Sequence, residues 1–342
     1  LDKIVITGGG TGGHLKVAQV FMNEFYKRGY KAIYIGSKNG QDKQWFEQER
    51  KLQKALFLDS KGVVNKNFWG KIKALFQIVK LALYCNEIFD KLKVTKVISV
   101  GGYSAAPATF GAIMTSGCKL YIHEQNSRMG KLNALTSYFA TEVFSSYDIN
   151  SRVRDYPVDA KFFDEARIRK NVKTIIFLGG SQGAKSINNF ALKVASQLTS
   201  MGISIIHQTG KEDFARVSQK YQTMDIQADV FDFCNNIEQK MAKADFAVSR
   251  SGASTLWELS ANALPTLFIP YPYAAQNHQY YNAEFLVNKG LAFVKTESEL
   301  TQDFFFDCLK KDLAQMSKGL AESIMSDSIE VIVDIILNEK KQ

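Results

Sequence analysis

Apolar residues in this chain come in short continuous runs. Each run stops at glycine or serine and is followed by a stretch in which apolar positions recur every three to four residues. Residues 3–7 (KIVIT) form the first run, GGGTGGH at 8–14 the first break, and His14 to about Arg28 the first amphipathic stretch. A short unbroken apolar run reads as a strand buried on both faces, so the order is strand, glycine loop, helix. KAIYIG (31–36), KVISVGG (96–102), KLYIHEQ (119–125) and TEVFSS (141–146) are further strands of the same kind. The pattern then restarts. KTIIFLGG (173–180) runs into the helical SQGAKSINNFALKVASQL, and ISIIHQTG (203–210), DVFDF (229–233), FAVSRSG (246–252) and PTLFIPYP (265–272) continue it. The predicted class is α/β, with two Rossmann-like domains facing a central cleft. The join falls near Asp155–Asn171, a charged segment containing Pro157, and Gly319–Lys341 reads as helical with a basic tip. Ligands of such sheets sit beyond the carboxyl ends of the strands, which makes the cleft the expected site.

A length of 342 residues suits two domains, and 46% hydrophobic with 23% charged residues is a soluble globular balance. The four cysteines, Cys85, Cys118, Cys234 and Cys308, are scattered without metal-ligand spacing, which fits a reducing cytoplasm. No signal peptide and no run of 18 apolar residues is seen, so no membrane span is expected. Charge alters the picture. Residues 1–160 hold 23 Lys and Arg against 13 Asp and Glu, whereas residues 161–342 hold 20 against 21. The basic N-terminal half is therefore expected to meet something anionic, nucleic acid or lipid headgroups.

Both glycine loops, GGGTGGH and GGSQGA, follow a strand and open a helix. In that setting backbone N–H groups can approach a phosphate, helped by the helix dipole. Residues 8–13 also satisfy G-x-G-x-x-G, but the second strand ends in Gly36 and Ser37, without the acid that a dinucleotide ribose reader needs. That argues against an NAD-linked oxidoreductase. The plain alternative for both loops is a tight turn and nothing more. His14 ends the first loop at a helix start, where the dipole disfavours its charged form, so it is a candidate neutral base; a surface or capping histidine is the alternative.

Four segments taken together, GGGTGGH (8–14), HEQNSRMGKLN (123–133), GGSQGA (179–184) and SRSGASTLWELSANALPTLFIPYPYAAQNHQYYNA (249–283), resemble the MurG family of bacterial peptidoglycan glycosyltransferases. The resemblance implies the two-Rossmann glycosyltransferase-B fold. It also implies inverting transfer of N-acetylglucosamine from UDP-GlcNAc to the 4-hydroxyl of the muramoyl sugar of lipid I, giving lipid II, and hence a part in cell-wall growth, shape and division. No cofactor and no metal are implied, and the chain has no Asp-x-Asp triplet. Residues 1–158 would be the acceptor- and membrane-binding domain and 165–321 the UDP-GlcNAc domain, with a C-terminal helix at about 322–342 packing back on the first. Carried over residue by residue, Thr11, Gly12 and Gly13 line the donor's diphosphate or sugar, His14 stands where the base is proposed, and Asn126 points to the donor sugar. Ser181 meets phosphate, Cys234 falls where backbone groups read uracil, and Ala253, Ser254, Thr255, Leu256, Trp257 and Glu258 cover the nucleotide. Glu258 accepts from the ribose hydroxyls and Gln279 reads the GlcNAc hydroxyls. Arg250 either stabilises charge on the leaving UDP or braces its loop. This sequence departs from the family pattern at Asp159, in YPVD, where an arginine is usual. It also lacks a proline soon after His14, and it has His278 where some members have glutamine.

An acceptor carried on a lipid requires a membrane surface. NFWGKIKALFQIVKLALYCNEIFDKLK (67–93) carries Phe68, Trp69, Ile72, Leu75, Phe76, Val79 and Leu83 at helical spacing, flanked or interleaved by Lys66, Lys71, Lys73 and Lys80. That is the pattern of an interfacial helix on anionic lipid, with an ordinary core stripe as the alternative. Lysines beside an apolar stripe, without arginines among exposed stacking aromatics, speak against nucleic acid. The expected location is the cytoplasmic face of the bacterial inner membrane, as a peripheral protein. A transferase of the same fold acting on diacylglycerol and an inactive UDP-sugar-binding protein are the competing readings.

Overall fold

Strands that must be buried on both faces leave the chain few arrangements, and the computed structural model shows the one adopted. It describes residues 2–62, 68–180 and 183–338, with the backbone alone at Phe68 and Lys71. Lys66 and Ser181 lie outside the described residues. The chain forms two compact units, Leu1–Pro157 with Asp327–Gln342, and Val158–Ser326.

In the first unit the strands are β1 (Ile4–Thr7), β2 (Ile33–Ser37), β3 (Lys54–Leu58), β4 (Lys96–Ser99), β5 (Lys119–Glu124) and β6 (Glu142–Ser145). They pair in parallel in the order β3-β2-β1-β4-β5-β6. Helices α1 (Gly12–Lys27), α2 (Asp42–Phe46), α3 (Phe68–Leu92), α4 (Ala106–Met114) and α5 (Lys131–Thr136) belong to the same unit. The second unit has α6 (Lys161–Asp164), β7 (Thr174–Leu178), α7 (Lys185–Ser200), β8 (Ser204–Gln208), α8 (Phe214–Thr223) and β9 (Ala228–Phe231). It continues through α9 (Ile237–Lys243), β10 (Phe246–Ser249), α10 (Ala253–Ala261), β11 (Thr266–Phe268), α11 (His278–Val287), β12 (Phe293–Val294), α12 (Gln302–Leu309) and α13 (Leu313–Glu322). Its sheet, β12-β11-β10-β7-β8-β9, repeats the order of the first, again all parallel. Val5, Ile35, Val97, Leu120 and Ile122 centre one core, and Ile175, Phe177, Ile205, Phe246 and Val248 the other.

Three readings of the sequence need correction. Lys54–Leu58 and Phe293–Val294 are strands that the pattern does not reveal, because the first is largely half-exposed and the second is two residues long. The first helix starts at Gly12, so His14 is its third residue rather than its first. The C-terminal stretch is two helices: α13 closes at Glu322, and α14 (Ser328–Asn338) follows a break and belongs to the first unit. There α14 buries Ile329, Ile332, Val333 and Ile336 and lies against α1. Arg28, at the end of α1, bonds Glu24 on its own helix and Asp334 and the Glu330 carbonyl on α14.

Where the chain enters the second unit, Arg169 is fully buried. Its guanidinium donates to the carbonyls of Met241, Ala244 and Asn262 and to the Asn262 side chain. These carbonyls close α9 and α10, so the cation sits at two negative helix ends. Burial still pushes its pKa down, to about 9.

His207, in β8, is also wholly buried. Asn188 commits its Nδ2 to the Thr209 carbonyl and Asp213. Its Oδ1 must therefore accept from His207 Nε2 (3.0 Å), which leaves Nδ1 to accept from Tyr221 OH (3.0 Å). The ring is satisfied when neutral, and burial pushes its pKa down to about 3. His123 in β5 is pushed to about 3 as well, by burial first and then by His14. Both folded values lie below the unfolded value near 6.5, so the unfolded chain takes up protons that the fold refuses as pH falls. Stability is therefore expected to decline between about pH 6.5 and 5, where ordinary carboxylates stay ionised, by up to about 1.4 kcal/mol per pH unit for each histidine. Urea unfolding against pH checks this, and His207→Gln should flatten the slope.

Candidate active site

In each sheet the two central strands lead to helices that continue in opposite directions along the strand order. Ligands of α/β sheets gather at that switch point. In the first unit it lies between β1 and β4, and Gly9 N–H donates to Gly101 O (3.2 Å) to tie the two strand ends together. His14 Nδ1 is 3.0 Å from Thr11 Oγ1, and the Nε2 edge of its ring faces Gly101.

The first glycine loop is held from below by Asp42, which is fully buried. Its carboxylate accepts from Gly10 N–H (2.8 Å) and Ser37 N–H (3.0 Å) and lies 3.1 Å from Tyr34 OH. Tyr34 OH also reaches Gly8 O at 2.9 Å. Burial, then the Asp42 charge, drives the Tyr34 phenol far above its ordinary range. Gly10 N–H is thus already engaged by an internal anion. Any anion binding at this loop falls to the backbone that follows, at Thr11, Gly12 and Gly13.

A second buried carboxylate organises the far side of the same switch point. Glu124, the last residue of β5, accepts from Asn126 N–H (2.9 Å), Gly130 N–H (3.0 Å) and Asn133 Nδ2 (2.7 Å). Gln125 donates to Val100 O (2.9 Å) and accepts from Tyr156 OH (3.1 Å). Within HEQN, then, His123, Glu124 and Gln125 are buried framework, and Asn126 is the half-buried member.

In the second unit the switch point lies between β7 and β10, which bring the second glycine loop and the start of α10 to one edge. Gly183 needs its positive φ of +77°, and a Cβ there would stand 2.4 Å from the Thr209 carbonyl. Ala253, Ser254, Thr255, Leu256, Trp257 and Glu258 form the opening turns of α10. The Leu256 and Trp257 side chains are buried. Ser254 Oγ donates to the buried Glu258 carboxylate at 3.2 Å. Gln279 accepts from Tyr271 N–H through Oε1 (2.9 Å), which turns Nε2 toward Gly252 at the head of α10. Cys234 is half-buried beyond β9. Its thiol is pushed up, mainly by burial.

Arg250 donates to the Ile269 and Pro270 carbonyls, Ser186 Oγ and Glu297 Oε1 (2.6–3.1 Å). Of the two roles open from sequence, this geometry is that of the brace. Asp159 accepts from Lys161 N–H (3.2 Å), a local bond at the start of α6.

The glycosyltransferase family 28 N-terminal domain matches residues 4–145, and the family's C-terminal domain matches residues 174–333. The chain belongs to glycosyltransferase family 28. Among its family 28 relatives is the Campylobacter jejuni subsp. jejuni serotype O:6 UDP-N-acetylglucosamine--N-acetylmuramyl-(pentapeptide) pyrophosphoryl-undecaprenol N-acetylglucosamine transferase. The two are 50% identical over 331 residues, 96% of each chain. The Wolinella succinogenes transferase of the same name is 45% identical over 336 residues, 98% of this chain and 100% of its own. The crystal structure of Acinetobacter baumannii MurG superposes with a TM-score of 0.82 at 25% identity, covering 98% of this chain and 99% of that one.

Sequence reasoning does not single out Asp42, Glu124 or Asn133. An acid closing a run of buried strand residues is a usable signal for Glu124; Asp42 lies in a polar stretch that reads as a solvated turn. Replacing Asp42 with Asn puts an NH2 where a backbone donor now bonds, leaving a buried group unpaired. Asp42→Asn is expected to cost about 1–3 kcal/mol, read as a lower midpoint in urea unfolding.

Proposed function

We propose that this family 28 enzyme transfers N-acetylglucosamine from UDP-GlcNAc to the 4-hydroxyl of the muramoyl-pentapeptide sugar of undecaprenyl-linked lipid I, with inversion, forming lipid II. The observation that carries the reading is 50% identity spread over 96% of both chains to a transferase of that name. The site geometry agrees with it. At the second unit's edge, the glycines of the second loop and the opening of α10 are suited to a uridine diphosphate. Glu258 takes the ribose hydroxyls, Gln279 the sugar, and the loop at Cys234 the uracil.

His14 is the base in this proposal. In the reactive tautomer Nδ1–H donates to Thr11 Oγ1, and Nε2 takes the proton of the attacking 4-hydroxyl. The new bond joins that oxygen to C1 of the donor sugar. The C1–phosphate bond breaks, and UDP leaves with the electron pair. Asn126, set by Glu124, takes the donor sugar, and Arg250 positions the loop that carries Gln279. His14→Ala should lower acceptor-dependent UDP release by at least about 10²-fold, the low end for a lost general base. Equilibrium UDP binding should be retained. A fall of less than about threefold would retire the assignment.

The membrane reading rests on α3. Its small residues Ala74, Ala82 and Cys85, with Ile78 and Phe89, are buried. Several of its large ones are not: Trp69 is 76% and Phe76 72% exposed, and Ile72, Leu75, Val79 and Leu83 are exposed with Lys73 and Lys80. Among the described residues no helix is long and apolar enough to cross a membrane. An exposed apolar stripe with lysines suits an anionic surface, here the cytoplasmic face of the bacterial inner membrane. Phe76→Glu with Val79→Glu should weaken binding to phosphatidylglycerol-containing vesicles at least about tenfold. Turnover of a soluble acceptor analogue should survive. Unchanged sedimentation with vesicles would remove α3 from this role.

A further inference from the structure

The second unit carries a hollow that the transferase reading does not use. Residues 170–172 lead into β7 and residues 201–203 into β8, so it lies at the amino ends of those paired strands, the sheet edge away from the start of α10. Its volume is about 540 Å³. Ile203, Phe306 and Leu309 give it an apolar floor; the first two are buried and Leu309 is half-buried. Met201 also lines it and is 54% exposed. Lys170, Lys310 and Lys311 form a cationic rim, and all three are exposed. Residues 161–342 hold 20 basic residues against 21 acidic ones, so three lysines at one hollow are a local excess. Lys310 pairs with Asp307 (2.9 Å), and Asp312 is committed to capping α13 through Gln315 N–H (3.0 Å). Lys170 and Lys311 make no ion pair among the described residues. Cations gathered without partners repel one another, and the acids of a partner relieve that repulsion.

We infer that this hollow is a docking surface for an acidic segment of a partner protein, one that presents a leucine, isoleucine or phenylalanine side chain between aspartates or glutamates. Shape and charge together select that occupant. The apolar floor is recessed, so whatever covers it must protrude. A bilayer is met instead by side chains that stand out from the surface, as those of α3 do. The exposed rim would leave a small molecule wet, whereas small-molecule sites bury roughly 70–90% of their ligand. A protein segment can rest on the rim, send one apolar side chain to the floor and bring its carboxylates to the lysines. Docking at this edge leaves the start of α10 and the second glycine loop uncovered. The assignment goes beyond the transferase reading and is independent of it.

The test pans a phage-displayed library of random linear peptides on the full chain. Amide hydrogen exchange then shows which enriched peptides protect residues 201–203 and 306–311. Those peptides should carry Asp or Glu on both sides of Leu, Ile or Phe. By fluorescence anisotropy they should bind Lys170→Glu with Lys311→Glu at least about tenfold more weakly than wild type, and they should lose affinity as salt rises. Met201→Ser should weaken them about threefold or more through lost apolar contact. All three substituted residues are exposed, so the variants should keep the wild-type urea midpoint and bind UDP as wild type does. The inference is overturned if no enriched peptide protects this edge, if those that do lack acids, or if the double variant binds them as tightly as wild type. A double variant that loses sedimentation with phosphatidylglycerol vesicles would assign the hollow to lipid and overturn it equally.

Discussion

Reversal of strand order at the centre of a parallel sheet is the constraint on which this molecule depends. Where the order reverses, the two middle strands carry the chain away in opposite directions and leave a gap at their carboxyl ends. Both sheets here have that order, with β1 beside β4 and β7 beside β10. The gap is lined by backbone because the chain must turn sharply there. That is why the glycine loops, the starts of α1, α7 and α10, and the motif residues gather at these two edges.

The two edges are furnished differently, and the difference bears on what each can bind. The first is built on internal carboxylates. Asp42 takes Gly10 N–H, and Glu124 takes the N–H groups of Asn126 and Gly130 and the amide of Asn133. Anions that belong to the protein thus occupy several of the donors that a phosphate would seek, and polar side chains such as His14 and Asn126 stand beside them. Such a set suits hydroxyls. At the second edge Arg250 is engaged by Glu297, Ser186 and two carbonyls and acts as a brace.

What is legible in the sequence follows the same physics. Runs such as KTIIFLGG are apolar because both faces of a central strand are covered, and they announce themselves. KALFL at 54–58 sits at a sheet edge, half-exposed, and FV at 293–294 is too short to show a period. The glycine loops and the HEQN segment are visible as motifs. Their supports are not, since Asp42 lies 32 residues from the amide it holds and no local pattern encodes that pairing. Arg250 shows the limit of reading a residue type: an arginine after a strand fits a charge stabiliser, yet its donors are met by two carbonyls, a serine and Glu297.

Helix α3 inverts the usual rule for amphipathic helices. Periodicity finds its stripe of large apolar residues, and in most soluble proteins that stripe would be the core face. Here the helix packs through Ala74, Ala82 and Cys85 together with Ile78 and Phe89. A Cβ on Gly111 of α4 would lie 2.6 Å from Cys85 Cβ and 3.2 Å from the Ala82 carbonyl, an approach that only small residues permit. Ala82 and Cys85 hold the helix down, and Trp69, Phe76, Val79 and Leu83 are left on the outside. Large apolar groups left in water gain nothing for the fold, because the core is closed without them. Their burial energy remains available to a partner. A bilayer surface would take up such side chains without demanding the matched shape that a protein interface does, and the exposed lysines on the same helix, Lys73 and Lys80, would favour anionic headgroups there.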